Sequence, residues 1–235
     1  MDGVQLMNRT DTKFMFNSDT LLEILPALGN QYRVLEVEGV RVNRYQTLYY
    51  DTPGFTHYLQ HQNGKKHRFK IRKREYVESN LAFLEVKEKN NKGRTAKSRV
   101  KLPALTEILD EKNLSFIERK ADFTENLEPK LWNSFTRTTL VDTVAGERVT
   151  LDTNISFHYH GKTKDVPFLV IAEVKQDGAN RHSGFIRHMK ERLIRPEGIS
   201  KYCLGVTMLY DDIKSNTFKE KILHINKLKP NGLPA

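Results

Sequence analysis

Between residues 68 and 101 the chain alternates, with charged side chains at every second position and mostly apolar ones between. In Arg68-Phe69-Lys70-Ile71-Arg72-Lys73-Arg74 the even positions are all cationic. In Leu84-Glu85-Val86-Lys87-Glu88-Lys89 the odd positions hold Glu85, Lys87 and Lys89, while Leu84 and Val86 face away. Lys97-Ser98-Arg99-Val100-Lys101-Leu102 is again cationic at its odd positions. Successive side chains of a strand point to opposite faces, so each segment has one basic face. One such strand is ordinary solvated surface. Several are harder to dismiss, because like charges opposite one another on a sheet repel and need an anion to neutralise them. The pattern implies a pocket or barrel lumen lined with Lys and Arg that holds a polyanion. Three further segments extend it. Arg148, Thr150 and Asp152 share a strand face, Glu173 and Lys175 share another, and Asp11 lies beside Lys13 on the first strand.

Periodicity and turn signals place the remaining elements. Thr10 to Phe16 reads as a strand, and Asn17-Ser18-Asp19 starts a helix with Leu21, Leu22, Ile24, Leu25 and Leu28 at helical spacing before Gly29. Residues 32–37, 47–51 and 68–76 read as strands, with a short helix over 55–62. Asn90-Asn91-Lys92-Gly93 is a hairpin turn between strands 82–89 and 96–102. Helices are expected over 103–112 and 124–134, strands over 137–144, 148–158 and 168–175, and helices over 180–195, 200–211 and 217–227, before a frayed end at 230–235. About eight strands joined mostly by turns, with peripheral helices, predict an α+β fold built on a closed antiparallel β-barrel. No linker or internal repeat divides the chain, so a single domain over 1–235 is expected, with its core at about 10–212 and a C-terminal helix and tail at 213–235.

The charge strengthens the polyanion reading. The chain of 235 residues carries a formal net charge of +10, and 29% of its residues are charged against 38% hydrophobic. Such an excess favours nucleotides, polyphosphate, nucleic acid or anionic lipid without choosing among them. The lone cysteine, Cys203, sits in an apolar run, excludes an intrachain disulfide and fits a reducing compartment. No signal peptide and no apolar run near the ~20 residues of a membrane span is present, so the expectation is a soluble, cytoplasmic protein.

Other motifs fall away. Gly93-Arg94-Thr95-Ala96-Lys97-Ser98 ends like a phosphate-binding loop, but it lacks the second glycine and joins two strands instead of opening a helix. His57 and His61 have the i, i+4 spacing of a helical metal pair without the accompanying Glu. His158 and His160 fit a solvated loop. No Ser-His-Asp or Cys/His arrangement supports covalent or zinc chemistry. A carboxylate among cations, such as Glu173, reads either as an ion-pair partner or as an oxygen ligand for a divalent metal that bridges phosphates.

The ordered segments resemble the catalytic domain of the vacuolar transporter chaperone (VTC) family, polyphosphate polymerases of the triphosphate tunnel superfamily. The matching pieces are Asp11-Thr12-Lys13-Phe14, Tyr49-Tyr50-Asp51-Thr52, Lys70-Ile71-Arg72-Lys73-Arg74-Glu75-Tyr76 and Phe83-Leu84-Glu85-Val86-Lys87. They continue through Lys97-Ser98-Arg99, Arg137, Arg148-Val149-Thr150-Leu151-Asp152, Ala172-Glu173-Val174-Lys175 and Ser200-Lys201-Tyr202. The resemblance implies a barrel with a basic lumen. It makes Lys13, Arg72, Arg74, Lys87, Lys97, Arg137, Arg148 and Lys201 phosphate ligands, with Arg72, Arg74, Lys87, Arg137 and Lys201 closest to the reaction. Lys70, Arg99 and Lys175, on the same alternating faces, are expected to bind phosphate as well. Glu173 is the implied principal metal ligand, for Mn²⁺ or Mg²⁺, and Glu85, on the face of Lys87, either orders that lysine or assists the metal. The departure lies on the first strand, where tunnel triphosphatases carry Glu-x-Glu-x-Lys and this chain has Arg9, Asp11 and Lys13.

The activity this implies is transfer of the γ-phosphoryl group of ATP to a growing inorganic polyphosphate chain, with ADP released. The alternatives are a tunnel triphosphatase and a non-catalytic polyphosphate-binding module. Nucleic acid is not an expected partner, because the basic faces lack the aromatic residues used for base stacking. The chain is not expected to be membrane-embedded, although docking to a separate membrane protein would give the product somewhere to go.

Overall fold

The computed structural model describes residues 9–121, 125–178 and 183–230. Its strands are β1 (Arg9–Asn17), β2 (Arg33–Val34), β3 (Val42–Asp51), β4 (Arg68–Tyr76), β5 (Leu81–Lys89), β6 (Thr95–Leu102), β7 (Glu128–Asp142), β8 (Glu147–Tyr159), β9 (Lys162–Val166) and β10 (Leu169–Asp177). Its helices are α1 (Ser18–Leu28), α2 (Thr56–Gln62), α3 (Glu111–Ala121), α4 (Gly184–Glu191), α5 (Lys201–Leu209) and α6 (Asn216–Lys227). The strands form one sheet in the order β1-β10-β8-β7-β3-β4-β5-β6, with β2 attached to β7 and β9 to β8. Every pairing is antiparallel.

The architecture is α+β as expected, but hydrogen bonds do not close the sheet into a barrel. Among the described residues, β1 and β6 remain its two ends. The reason lies at β1, where the carbonyl of Lys13 accepts from the backbone N–H of Glu197 at 2.8 Å. Lys13 Nζ also donates to the carbonyl of Ile199 at 3.3 Å. The segment after α4 therefore occupies that edge in place of β6, one of the ordinary ways to protect a strand edge.

The sheet nevertheless curls. β1 and β5 stand six strand spacings apart, about 29 Å across a flat sheet. Yet Lys13 on β1 and Glu173 on β10 both act electrostatically on Lys87 of β5. Only a strongly curved sheet brings those side chains together.

Apolar positions supply that curvature with three packed surfaces. On the face opposite the cations, Phe14, Phe16, Leu151, Val170, Ala172 and Val174 pack against Ile24 and Leu28 of α1 and Phe185 and Met189 of α4. Further along that face, Leu48, Ile71, Leu84 and Val86 pack against Ile117 and Ala121 of α3. On the cation-bearing face, α5 covers one end by packing Tyr202, Cys203 and Val206 on Met15, Tyr49, Leu131, Phe135, Phe157 and Ile171. Asp51 ties this plug to the sheet. Its buried carboxylate accepts the backbone N–H groups of Thr52, His57 and Tyr58 at 2.8–2.9 Å and the Tyr202 hydroxyl at 2.5 Å.

Several elements differ from the sequence reading. Residues 103–110 are not helical. Asp110 caps α3, accepting from the N–H of Asn113 at 2.7 Å, so the helix begins at Glu111. The helix expected over 124–134 is a strand from Glu128 onward, because Leu131, Asn133 and Phe135 follow a period of two; residues 122–124 lie outside the described residues. The helix expected from 180 begins at Gly184 behind the Ser183 cap, with 179–182 also outside the described residues. The strand expected over 32–37 shrinks to Arg33–Val34. β9 had no counterpart in the sequence reading. His160 and Gly161 adopt positive φ in the tight turn that pairs it to β8. The end at 231–235 lies outside the described residues.

Gly205 sets how closely α5 can approach the sheet, since a Cβ there would lie 2.6 Å from Phe157 and 2.7 Å from Leu131. Gly205→Ala should therefore destabilise the protein by about 1–3 kcal/mol. An unchanged urea midpoint would contradict this packing.

Candidate functional site

The register of β4, β5 and β6 converts the alternation of the sequence into rows of charge. Lys70 pairs with Lys87, and Lys87 with Lys97, which places three cations side by side. The next row is Arg72, Glu85 and Arg99, and the one after it Arg74, Phe83 and Lys101. From the other end of the sheet, Lys13 lies opposite Glu173, and Arg137 opposite Asp152. Lys201, at the start of α5, completes the lining.

Three carboxylates each hold two of these cations. Glu85 takes Arg72 with one oxygen at 2.6–2.7 Å and Lys97 with the other. Asp152 forms a two-pronged pair with Arg137 at 2.6 and 2.8 Å and also meets Lys201. Glu173 lies 3.5 Å from Lys13 and 3.2 Å from Lys175. Each carboxylate thus orients two cations while cancelling one unit of charge. Arg74 is held differently, by the Thr47 hydroxyl at 3.1 Å and by the rings of Tyr45 and Phe135. Arg99 lies over Phe83 at 4.7 Å. The face as a whole keeps an excess of positive charge in a partly desolvated trough.

The titration behaviour reflects that excess. Burial, reinforced by Lys13, Lys70 and Arg72, pulls the Lys87 ammonium down to about 7. Burial together with Lys13 and Arg72 pulls Lys70 to about 8. Burial lowers Lys201 to about 8, against the pull of Asp152. Burial alone would raise Glu85 and Glu173, but the surrounding cations overwhelm it and hold both at about 2. Asp152 is likewise held far below the usual carboxylate range. Burial would also raise the Tyr49 phenol, yet the field of Arg72, Arg74 and Lys201 lowers it. Its hydroxyl accepts from Arg72 at 3.3 Å.

The structure brings together Lys13, Lys70, Arg72, Arg74, Glu85, Lys87, Lys97, Arg137, Glu173, Lys175 and Lys201. Arg99 sits on the exposed lip formed by β6, and Arg148 is exposed at the rim beside Lys175. Asp11 is exposed on the same edge, opposite Lys175. Sequence reasoning had put Asp152 on a charged face without giving it a role, and it proves to be the joint between Arg137 and Lys201. Phe135, Tyr45 and Tyr49 form the aromatic floor under the guanidinium groups, and of these the sequence reading named Tyr49 alone, without a role. The signal for Phe135 was present in the sequence, two residues before Arg137 and hence on the same strand face. Burial lowers both His57 and His61, the latter to about 2, and among the described residues no group of three or more His, Cys, Asp or Glu forms around them.

Among the described residues no group of three or more His, Cys, Asp or Glu side chains converges as a metal cage. A dedicated protein cage is not what Mg²⁺ or Mn²⁺ requires, because such ions are held by one or two carboxylates with substrate phosphates and water. Glu173 fits that role, with its carboxylate on the cationic face between two lysines. Glu85 fits it less well, since it is fully buried and held at 2.6–2.7 Å by Arg72 with Lys97 on its other oxygen, whereas the lysines of Glu173 stand off at 3.2 and 3.5 Å.

The VTC domain model matches residues 8–210, and the chain belongs to that family. No curated protein sequence matches the chain. Among solved structures, it is similar to a Hippeastrum protein studied as an adenylyl cyclase and reported to have a dominant triphosphatase activity. The two share 13% identity and a TM-score of 0.54, over 86% of this chain and 98% of that one. A protein of Pyrococcus horikoshii OT3 aligns over 85% of this chain and 98% of its own, at 14% identity and a TM-score of 0.45. The fold of the large antiparallel sheet is thus shared with the Hippeastrum protein. No helix among the described residues is long and apolar enough to cross a membrane.

Lys87 separates function from stability. Its folded-state value of about 7 lies below the ordinary 10.5, so between those values the unfolded chain binds more protons and stability rises with pH. Lys87→Met should stabilise the free protein, most strongly below about pH 7 and with no gain above about 10.5, while weakening its hold on inorganic triphosphate. Denaturation across that pH range together with binding calorimetry checks both halves. A variant that is less stable at pH 6, or that binds triphosphate as the parent does, would contradict the charge excess.

Proposed function

We propose that this protein is a polyphosphate polymerase that transfers the γ-phosphoryl group of ATP to the end of an inorganic polyphosphate chain. The observation that carries the reading is the ratio on the inner face, where Glu85, Asp152 and Glu173 each serve two cations and Lys70, Lys87 and Arg74 add further positive charge. A long, densely charged anion with many equivalent oxygens is the ligand such a surface suits. The rigid donor forks of Arg72, Arg74 and Arg137 match non-bridging phosphate oxygens and stay charged when desolvated.

Phosphoryl transfer depends chiefly on positioning and on neutralising charge at the transferring group. The triphosphate lies along the rows of β4 and β5, with Arg72 and Arg74 on its oxygens and Lys70 and Lys87 beside them. Arg137 and Lys201, held by Asp152, approach from the opposite wall. A divalent ion, when bound, supplies further charge neutralisation to phosphate oxygens, and Glu173 is the residue that would hold it. The terminal phosphate oxygen of the growing chain attacks the γ-phosphorus in line. The bond from that phosphorus to the β,γ-bridging oxygen breaks, ADP leaves with the bridging oxygen, and a new phosphoanhydride forms. The attacking oxygen is already anionic near neutral pH, so the step needs no general base.

The second reading is hydrolysis of a triphosphate, the activity reported for the Hippeastrum protein of like fold. It requires a group to orient and activate water. Against it stand the two-cation embrace of both Glu85 and Asp152 and the presence of Arg9 where tunnel triphosphatases carry a Glu.

Incubation with ATP and Mn²⁺ or Mg²⁺, with products resolved on a gel stained for polyphosphate, decides between them. The polymerase yields a ladder with matching ADP, whereas free phosphate without a ladder overturns the proposal in favour of hydrolysis. Arg74→Ala should abolish the ladder at a smaller cost in stability than Arg72→Ala, because Arg74 acts on Glu85 through space and makes no direct ion pair with it. Arg72→Ala should cost more, about 3–5 kcal/mol, because it removes the direct ion pair that holds the fully buried Glu85.

A further inference from the structure

Carboxylates account for six of the cations on the inner face, but not for how the two walls meet. At that junction lies Phe135 of β7, 2% exposed. Arg74 from β4 stands 5.7 Å from its ring centre, Arg137 from its own strand 5.4 Å, and Lys201 from α5 4.2 Å. Tyr45, its cross-strand partner on β3, stacks on it with centroids 5.0 Å apart and planes 7° from parallel. Arg137 and Arg74 lie 5.0 and 5.5 Å from the Tyr45 ring as well. The backbone is shaped at this point. The register of β7 against β8 shifts between Ser134 and Thr136, and Asn154, in the bulged stretch of β8, takes a positive φ of 50°. A bulge of this kind re-aims side chains, and beyond it Arg137 and Asp152 face each other in register.

An aromatic face attracts cations through its quadrupole while carrying no net charge. This distinguishes it from the three carboxylates. A carboxylate at 135 would gather the same groups and cancel one of them, whereas a ring leaves every unit of charge available to an anion. We propose that Phe135 is a positioning residue for phosphate binding. Its ring, backed by Tyr45, gathers Arg74, Arg137 and Lys201 from three elements into one cluster without neutralising any of them. Phe135 does not touch the substrate; it acts through those three side chains. The inference rests on the reading of the inner face as a phosphate site.

The test measures inorganic triphosphate binding by calorimetry in the parent and in two kinds of variant. Phe135→Leu keeps an apolar side chain and removes the ring face, and it should weaken binding about tenfold, whereas Phe135→Tyr should restore binding to within about twofold. Leu131→Ala, in the same apolar cluster but without a cation on it, controls for loss of packing and should leave affinity unchanged once folding is verified. Stepwise fluorination of the Phe135 ring drains the quadrupole at nearly constant shape. It should lower affinity progressively with a constant melting temperature, a response that a purely structural residue would not give, and it serves also if Phe135→Leu fails to fold. Flat affinity across the fluorinated series, or equal losses in Phe135→Leu and Leu131→Ala, would overturn the role of Phe135 and leave the phosphate site standing. Absence of triphosphate binding by the parent would overturn both.

Discussion

Three lysines in register on adjacent strands, Lys70, Lys87 and Lys97, set the constraint that the rest of the inner face obeys. Like charges directly opposite one another destabilise a sheet, and partial burial strengthens the repulsion by lowering the local dielectric. Apolar packing elsewhere must offset that cost. The convex side provides it through the clusters under α1, α4 and α3, and α5 adds a third cluster that closes one end of the trough. Stability therefore comes mainly from the outer face and the α5 plug, and the inner face is free to remain electrically unbalanced.

The imbalance is arranged, not diffuse. Glu85, Asp152 and Glu173 fix the directions of six cations, and each carries less charge than the pair it orients. Phe135 and Tyr45 add a seventh, Arg74, and hold Arg137 and Lys201 a second time, with no charge of their own. Buried ion pairs are weak contributors to stability when compared with apolar residues of similar size, but they are costly to break. Their value here is geometric: they hold side chains that would otherwise fan out into water. A polyanion entering the trough meets guanidinium and ammonium groups already aimed at it, and loses less to reorganisation than it would with flexible surface lysines.

Much of this was legible in the sequence, because a strand's period of two is an intrinsic property of the backbone. Lys70, Arg72 and Arg74 had to share a face, and so did Glu85 with Lys87, and Lys97 with Arg99. What the sequence did not carry was register across long separations. That Lys13 would stand near Lys87, or that Asp152 would join Arg137 to Lys201, follows from strand order and from the docking of α5. Closure of the barrel failed for a similar reason. The edge of β1 is taken by a segment nearly two hundred residues away, and nothing in the local pattern of residues 194–200 announces a contact with Lys13. The helix expected over 124–134 gives way to a strand from Glu128 onward, where pairing with β3 decides the matter.

The central claim is that these lysines sit in a positive field that a polyanion relieves, and the most direct measurement is their titration. Lysine side-chain NMR, with Cε labelled and Lys87→Met used for assignment, follows each ammonium through the pH range with and without inorganic triphosphate. The account predicts that in the free protein Lys87 titrates at about 7 and Lys70 at about 8, and that both rise toward or above the ordinary 10.5 when triphosphate is bound. Lysines that all titrate near 10.5 in the free protein, or values that triphosphate leaves unmoved, would contradict it.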